Sequence, residues 1–218
     1  MSEAAGSTLD AAATVGLLRH LLAVVDERAE ELNHLDSVAG DGDLGVTMKL
    51  GMKGALEALA ATPDPTDVGS VLVTAGKAFG TEAPSTMGAL LATALRSAGK
   101  TVLGRRAAGP AEAEAMLAAS VAEIERRGGA KLGDKTLLDV LVPFQHALAA
   151  RLAGGAAWRE AFADALAAAK RGLDATATMT PRAGRSRWLA ERSLGSVDAG
   201  GSAVYLLLEA AGSFLLAQ

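Results

Sequence analysis

Apolar residues recur every three to four positions along most of the chain, the period of helices that each present one face to a core. Over residues 8–33, Leu17, Leu18, Leu21, Leu22, Val25 and Leu32 fall on or beside one face, with Thr8 and Asp10 as start signals. After a polar turn the period returns over residues 45–59 through Met48, Met52, Leu56 and Leu59, and Thr62-Pro63-Asp64-Pro65 stops it. The same pattern predicts helices over residues 67–79, 85–98, 110–127, 135–152, 156–173 and 199–216, eight in all. Pro110 suits a first turn, where its missing N–H costs nothing, and Glu112 and Glu114 behind it complement the helix dipole. Pro143 lies inside its pattern and predicts a kink or break there. No run alternates with period two alongside β-branched enrichment, no repeat appears and no Ser/Gly linker divides the chain. The expectation is one all-α domain over residues 1–218.

Composition agrees. Half of the 218 residues are hydrophobic but only 3% are aromatic, so the core has to be built from Ala, Leu and Val at close spacing. The formal net charge of −4 comes without a long basic run, which argues against nucleic acid as a partner. Zero Cys removes disulfides and cysteine nucleophiles. The longest charge-free stretch, residues 83–95, has 13 residues and is too short for a bilayer, so no membrane insertion is expected. Glu3 and Asp10 precede the first basic residue, Arg19, the reverse of a secretory leader, and the expected location is cytoplasmic.

Candidate chemistry concentrates between the first two helices, in His34-Leu35-Asp36-Ser37-Val38-Ala39-Gly40-Asp41-Gly42-Asp43-Leu44-Gly45. Three carboxylates within eight residues raise one another's pKa unless a cation resolves the repulsion. Mg²⁺ prefers such oxygens and commonly takes its remaining ligands from water and nucleotide phosphates. Gly40, Gly42 and Gly45 allow the backbone to turn and approach an anion. The competing reading makes Asp41 or Asp43 a cap of the next helix. The segment also satisfies G-x-G-x-x-G, but no strand precedes it and aspartates repel a pyrophosphate, so a dinucleotide fingerprint is rejected. Ser97-Ala98-Gly99-Lys100-Thr101 echoes a phosphate loop, yet the required first glycine falls at Ala94, and Gly99 is read as a helix C-cap.

Four ordered segments resemble the L-type, nucleotide-binding subunit or domain of dihydroxyacetone kinases. They are Leu35-Asp36 through Gly45; Gly133-Asp134-Lys135-Thr136-Leu137-Leu138-Asp139; Gly184-Arg185-Ser186 with Leu189-Ala190-Glu191-Arg192-Ser193; and Asp198-Ala199-Gly200. The resemblance implies an antiparallel eight-helix barrel with a nucleotide–Mg²⁺ site at one rim. It carries Asp36, Asp41 and Asp43 over as ligands of two Mg²⁺ ions. ATP or ADP would be contacted by Leu44, Gly45, Val46 and Thr47, by Thr86 and Met87, by Gly128 and Leu137, and by Asp198, Ala199 and Gly200. Arg185 would be the phosphate partner, through bidentate contacts of permanent charge; otherwise it belongs to a solvated basic loop with Arg182 and Arg187. Asp198 also suits the N-cap of the last helix, and Asp134 is read as a cap outside the catalytic set.

Three departures from the family pattern bear on substrate. Leu44 stands where a His is usual, Thr47 where an Asn is, and Pro84-Ser85-Thr86-Met87-Gly88 where G-G-x-S-G is. Leu44 neither hydrogen-bonds nor transfers a proton. His34 is expected to be solvated, His20 and His146 to lie at helix surfaces, and Trp158, Trp188 and Tyr205 to be packing anchors. The resemblance places the hydroxyketone in a separate K-type subunit, making this chain half of an active site. It admits either free ATP or a bound ADP recharged by a phosphocarrier of the phosphotransferase system, and leaves a homodimer open. The alternative is a non-catalytic helical module that binds nucleotide or lipid.

Overall fold

The eight apolar stripes become eight long helices in the computed structural model, which describes residues 8–62 and 65–217. They are α1 (Ala11–Ser37), α2 (Leu44–Ala60), α3 (Val68–Glu82), α4 (Thr86–Thr101), α5 (Pro110–Gly128), α6 (Leu138–Ala153), α7 (Trp158–Ala175) and, after the four-residue α8 (Ala190–Ser193), α9 (Ala199–Leu215). Each long helix packs on the next, and α9 returns to α1, so the ring closes as a barrel of antiparallel helices. Among the described residues the only strands are β1 (Leu9–Asp10) and β2 (Ala107–Ala108), an antiparallel pair ahead of α1 and α5. Two-residue strands are too short to leave an alternating pattern.

Local chemistry sets the ends. Asp10, not Thr8, caps α1 by accepting from Ala13 N at 2.8 Å, and α1 runs four residues past the expected Asn33, to Ser37. α2 ends at Ala60; Pro63 and Asp64 of the expected stop signal lie outside the described residues. Asp67 caps α3 and reaches across to Gly104 N at 2.9 Å, joining the two ends of the α3–α4 hairpin. Gly99 does not end α4, which continues to Thr101; it is buried where α4 crosses α3, with the Gly69 carbonyl 2.7 Å from where a Cβ would stand. Pro143 does not break α6, which runs unbroken from Leu138 to Ala153. The carbonyl deprived of its partner is that of Asp139, and α7 meets it with Gly172, where a Cβ would collide with that oxygen.

The barrel is filled by side chains from both halves. Phe144, Phe162, Ile124 and Leu148 form one cluster; Val25, Met48, Phe79 and Leu206 form another. α9 serves both, through Val204 on one side and Ala203 on the other. Ala161, Ala165, Ala169 and Ala203 are fully buried, so small residues let the backbones approach and replace the missing aromatic volume. No helix among the described residues is long and apolar enough to cross a membrane.

Candidate functional site

The extra turn of α1 decides the geometry of the acidic loop, because it places Asp36 on a helix rather than in the turn. Asp36 Oδ2 accepts from Gly42 N at 2.8 Å and Asp43 N at 3.3 Å, folding the loop back over its own first carboxylate. Gly40 N donates to the Asp36 carbonyl at 2.6 Å, and a Cβ at Gly40 would collide with the Asp36 carboxylate. Asp43 occupies the N-cap position of α2 but makes no side-chain cap bond. Asn33 on α1 does that work, its Oδ1 accepting from Gly45 N at 2.8 Å and Val46 N at 3.3 Å. Gly45 lies so close to the Ala29 carbonyl that any side chain would overlap it. With capping delegated to Asn33, oxygens of Asp36, Asp41 and Asp43 lie within 4.8 Å of one another, Asp36 half-buried and the others exposed. Three convergent carboxylates are a donor set that suits a hard divalent cation.

Beside this cluster opens a cavity of about 460 Å³. Leu44, Val46 and Thr47 line it from α2, Thr86 and Met87 from the start of α4, and Gly128 and Leu137 from the ends of the α5–α6 connection. Asp198, Ala199 and Gly200 line it from the start of α9. The N-termini of α2, α4 and α9 therefore all face the cavity, an arrangement that attracts negative charge. Away from the carboxylates, Met87, Leu90 and Ile124 make the wall apolar. Of the residues expected here, Gly45 is not among those lining the cavity; it is buried against α1. Gly184 and Ser186 line the wall at the start of the 3₁₀ turn Arg185–Leu189, while the side chain of Arg185 lies outside what the structure describes.

Asp198 caps α9 by accepting from Gly201 N at 2.6 Å, and its own N–H donates to Thr176 Oγ1 at 2.9 Å. Burial pushes its carboxyl up to about 6; Asp139 and Asp36 add to the rise, while the Gly201 N–H and the Lys135 ammonium oppose it. Asp134 is not a helix cap, since its carboxylate accepts from Lys131 N within the preceding turn. Asp139 holds that connection from inside, accepting from Gly133 N at 2.6 Å and Thr136 N at 2.7 Å.

Three features escape a sequence reading. Lys135 lines the cavity yet is only 2% exposed, its Nζ donating to the Ser193 carbonyl at 2.6 Å. Its place in the Gly133-Asp134-Lys135-Thr136 segment was the available signal, but nothing in a lysine between Asp134 and Thr136 marks it as buried. Asn33 reads as the end of α1, with nothing local to mark it as the cap of α2. Trp188 is 76% exposed beneath the Arg187 guanidinium at 4.4 Å, so it is not a packing anchor. Trp158 and Tyr205 do pack on the larger cluster, and His34 and His146 are exposed. His20 lies at the surface, with Nε2 3.0 Å from Ser213 Oγ.

A closed eight-helix ring with a carboxylate cluster at one rim, beside a cavity bordered by three helix N-termini, defines an α-helical barrel. The chain belongs to the DAK2 domain family, whose sequence pattern matches residues 38–213. It is 40% identical over 183 residues to a D-erythrulose kinase of Mycolicibacterium smegmatis, covering 81% of this chain and 31% of that protein. It is 29% identical over 186 residues to the ADP-binding subunit DhaL of the PEP-dependent dihydroxyacetone kinase of Escherichia coli, covering 85% of this chain and 88% of the subunit. The fold matches the dihydroxyacetone kinase of C. freundii in complex with AMP-PNP and Mg²⁺, with a TM-score of 0.71 and 21% identity over 98% of this chain and 36% of that one. The chain thus spans about a third of the length of the erythrulose kinases it matches, and nearly all of the separate ADP-binding subunit.

Proposed function

We propose that this chain, folded as one domain, is the nucleotide-binding half of a dihydroxyacetone-kinase-like phosphotransferase. The observation that carries the reading is the convergence of Asp36, Asp41 and Asp43 within 4.8 Å at the mouth of a cavity bordered by three helix N-termini. Two Mg²⁺ ions bound there would neutralise nucleotide phosphates and the charge that develops in phosphoryl transfer. Asn33 keeps the loop's carboxylates off capping duty, and the bonds from Gly42 and Asp43 to Asp36 hold the loop in shape. Thr86, Met87, Asp198, Ala199 and Gly200 bring helix N-termini to the phosphates, and the apolar wall of Met87, Leu90 and Ile124 takes the base. Arg185, carried over from the family pattern, supplies a phosphate contact.

The acceptor is dihydroxyacetone, erythrulose or a related short sugar, held by a K-type domain or subunit, because positioning lowers the barrier only when acceptor and donor are both fixed. The donor is ATP, or an ADP recharged by a phosphocarrier; the ADP-binding subunits of PEP-dependent kinases among the relatives support the second. Calorimetry tests the core of this reading. ADP should bind with Mg²⁺ and lose most of its affinity in excess EDTA, and Asp41→Asn should abolish transfer while leaving the helical circular dichroism intact. Equal ADP affinity with and without EDTA rejects the metal bridge. A non-catalytic nucleotide-binding module is the second reading, favoured by Leu44, whose buried apolar side chain stands where the family pattern has an imidazole. Turnover on adding a K-type partner decides against it.

A further inference from the structure

We propose that Lys135 is a positioning residue of the nucleotide site: its buried ammonium, bound to the Ser193 carbonyl, holds the cavity wall of residues 182–200 in its nucleotide-binding shape. The inference rests on the nucleotide reading above. Lysine seldom leaves water entirely, yet Lys135 is 2% exposed, with its charge inside the wall. Its backbone adds a second cost. Lys135 has φ 58, and every other described residue with positive φ is a glycine. An L side chain in that region costs on the order of 1–2 kcal/mol, and such outliers persist only where the surroundings over-determine them.

The surroundings do so here. Asp139 grips the turn on either side of Lys135, through Gly133 N and Thr136 N. The neighbouring Asp134 carbonyl accepts from Arg182 N at 3.0 Å, so the turn is tied to the wall segment at its start, near Arg185. Lys135 ties it again at its end, through Ser193 at 2.6 Å. A glycine would satisfy the backbone better than lysine does, so what the position gains is the ammonium. That group sits between the turn and a segment that includes Arg185, Ser193 and Asp198, the last two lining the cavity. Without it the wall keeps backbone anchors at Arg182, at Gly195, whose N–H donates to the Ala177 carbonyl, and at Asp198, but this turn then holds it through Arg182 alone.

Two variants separate the ammonium from the backbone. Lys135→Met keeps the side-chain volume and removes the charge; Lys135→Gly removes the side chain and relieves the φ strain. ADP affinity in saturating Mg²⁺ should fall about 10–100-fold in both, the size of a charge-assisted hydrogen bond. Affinity for Mn²⁺ alone, which reads only the carboxylate cluster, should stay within about twofold of the wild type. Amide exchange should quicken over residues 182–200, and n-butylammonium should recover part of the ADP affinity of Lys135→Gly. Wild-type ADP affinity in a folded variant overturns the proposal. So does a parallel loss of Mn²⁺ and ADP binding, or failure of both variants to fold, either of which makes Lys135 a general structural residue. A wild-type chain that binds no Mg–ADP rejects the nucleotide reading itself, and is a different result.

Discussion

Asp198→Asn isolates a conflict between stability and function in the cavity wall. Asp198 is half-buried at the start of α9, and burial raises its carboxyl from an ordinary 3.8 to about 6. A carboxyl raised on folding binds its proton more tightly in the native state than in the unfolded one. Its effect is therefore absent below the unfolded value and becomes a penalty as pH rises through about 6. The gap corresponds to about 3 kcal/mol, which solvent in the cavity trims to about 2–3. Asparagine carries no charge and is as good an N-cap as aspartate, so the bond from Gly201 N survives the substitution. In EDTA and without nucleotide, Asp198→Asn should be more stable than the wild type by about 2–3 kcal/mol at pH 8, and by well under 1 kcal/mol at pH 4. Urea unfolding followed by circular dichroism at both pH values measures the difference, and at pH 8 the melting temperature should rise by about 5–10 °C. On the proposed reading, in which Asp198 belongs to the nucleotide site, the same variant should bind Mg–ADP more weakly. An equal stability difference at the two pH values, or a variant less stable at pH 8, refutes the argument that the buried carboxylate is ionised at a cost.

Asn33→Ala should cost about 1–2 kcal/mol in urea unfolding, because the first amides of α2 lose their acceptor, and should weaken Mn²⁺ binding as Asp43 is drawn into capping; unchanged Mn²⁺ affinity rejects the link between cap and carboxylate cluster. Gly45→Ala drives a methyl group into the Ala29 carbonyl and should lower stability by about 1–3 kcal/mol or more, with a melting temperature equal to wild type counting against the close α1–α2 contact. Asp67→Ala removes the acceptor of Ser70 N, Ser70 Oγ and Gly104 N and should cost about 2–4 kcal/mol at pH 7. The Ser70 hydroxyl and these amides hold the Asp67 carboxyl below its usual range. Its contribution is present above the ordinary carboxylate value and fades as pH falls through the lowered one, so the Ala variant should converge on wild type in strong acid.

Helix positions were legible because they depend on periodicity, and α5 and α9 end within a residue of where the pattern stops. Ends were less legible where a distant group decides them. α1 runs past Asn33 because that side chain serves α2 across the loop, and α4 runs past Gly99 because Gly99 packs on α3. The unbroken α6 rests on Gly172, 29 positions after the proline it accommodates. The gathering of the carboxylates was legible from their spacing, and the cavity's other walls only from the family pattern. Lys135 was not legible, since the acceptor of its proton lies on Ser193, in a segment with no periodicity of its own.

Aspartates around the cavity illustrate what a sequence leaves unsorted. Asp36, Asp41, Asp43 and Asp198 line the cavity and Asp139 lies buried behind its wall, and all five are chemically the same residue. The fold divides them by depth. Asp139, 1% exposed, accepts two backbone amides and holds the turn that carries Lys135. Asp198 accepts one, and has the ammonium of Lys135 nearby. Asp36 stands at the boundary, spending one oxygen on the amides of Gly42 and Asp43. Asp41 and Asp43 are exposed at the mouth, where capping has been passed to Asn33. Backbone amides thus offset the charge of the inner carboxylates, while three carboxylates converge at the rim, and on the proposed reading a cation arriving with a phosphate would relieve the repulsion there. Binding to the native state alone adds to stability, and the domain should therefore be held most firmly when Mg²⁺ and nucleotide are present together.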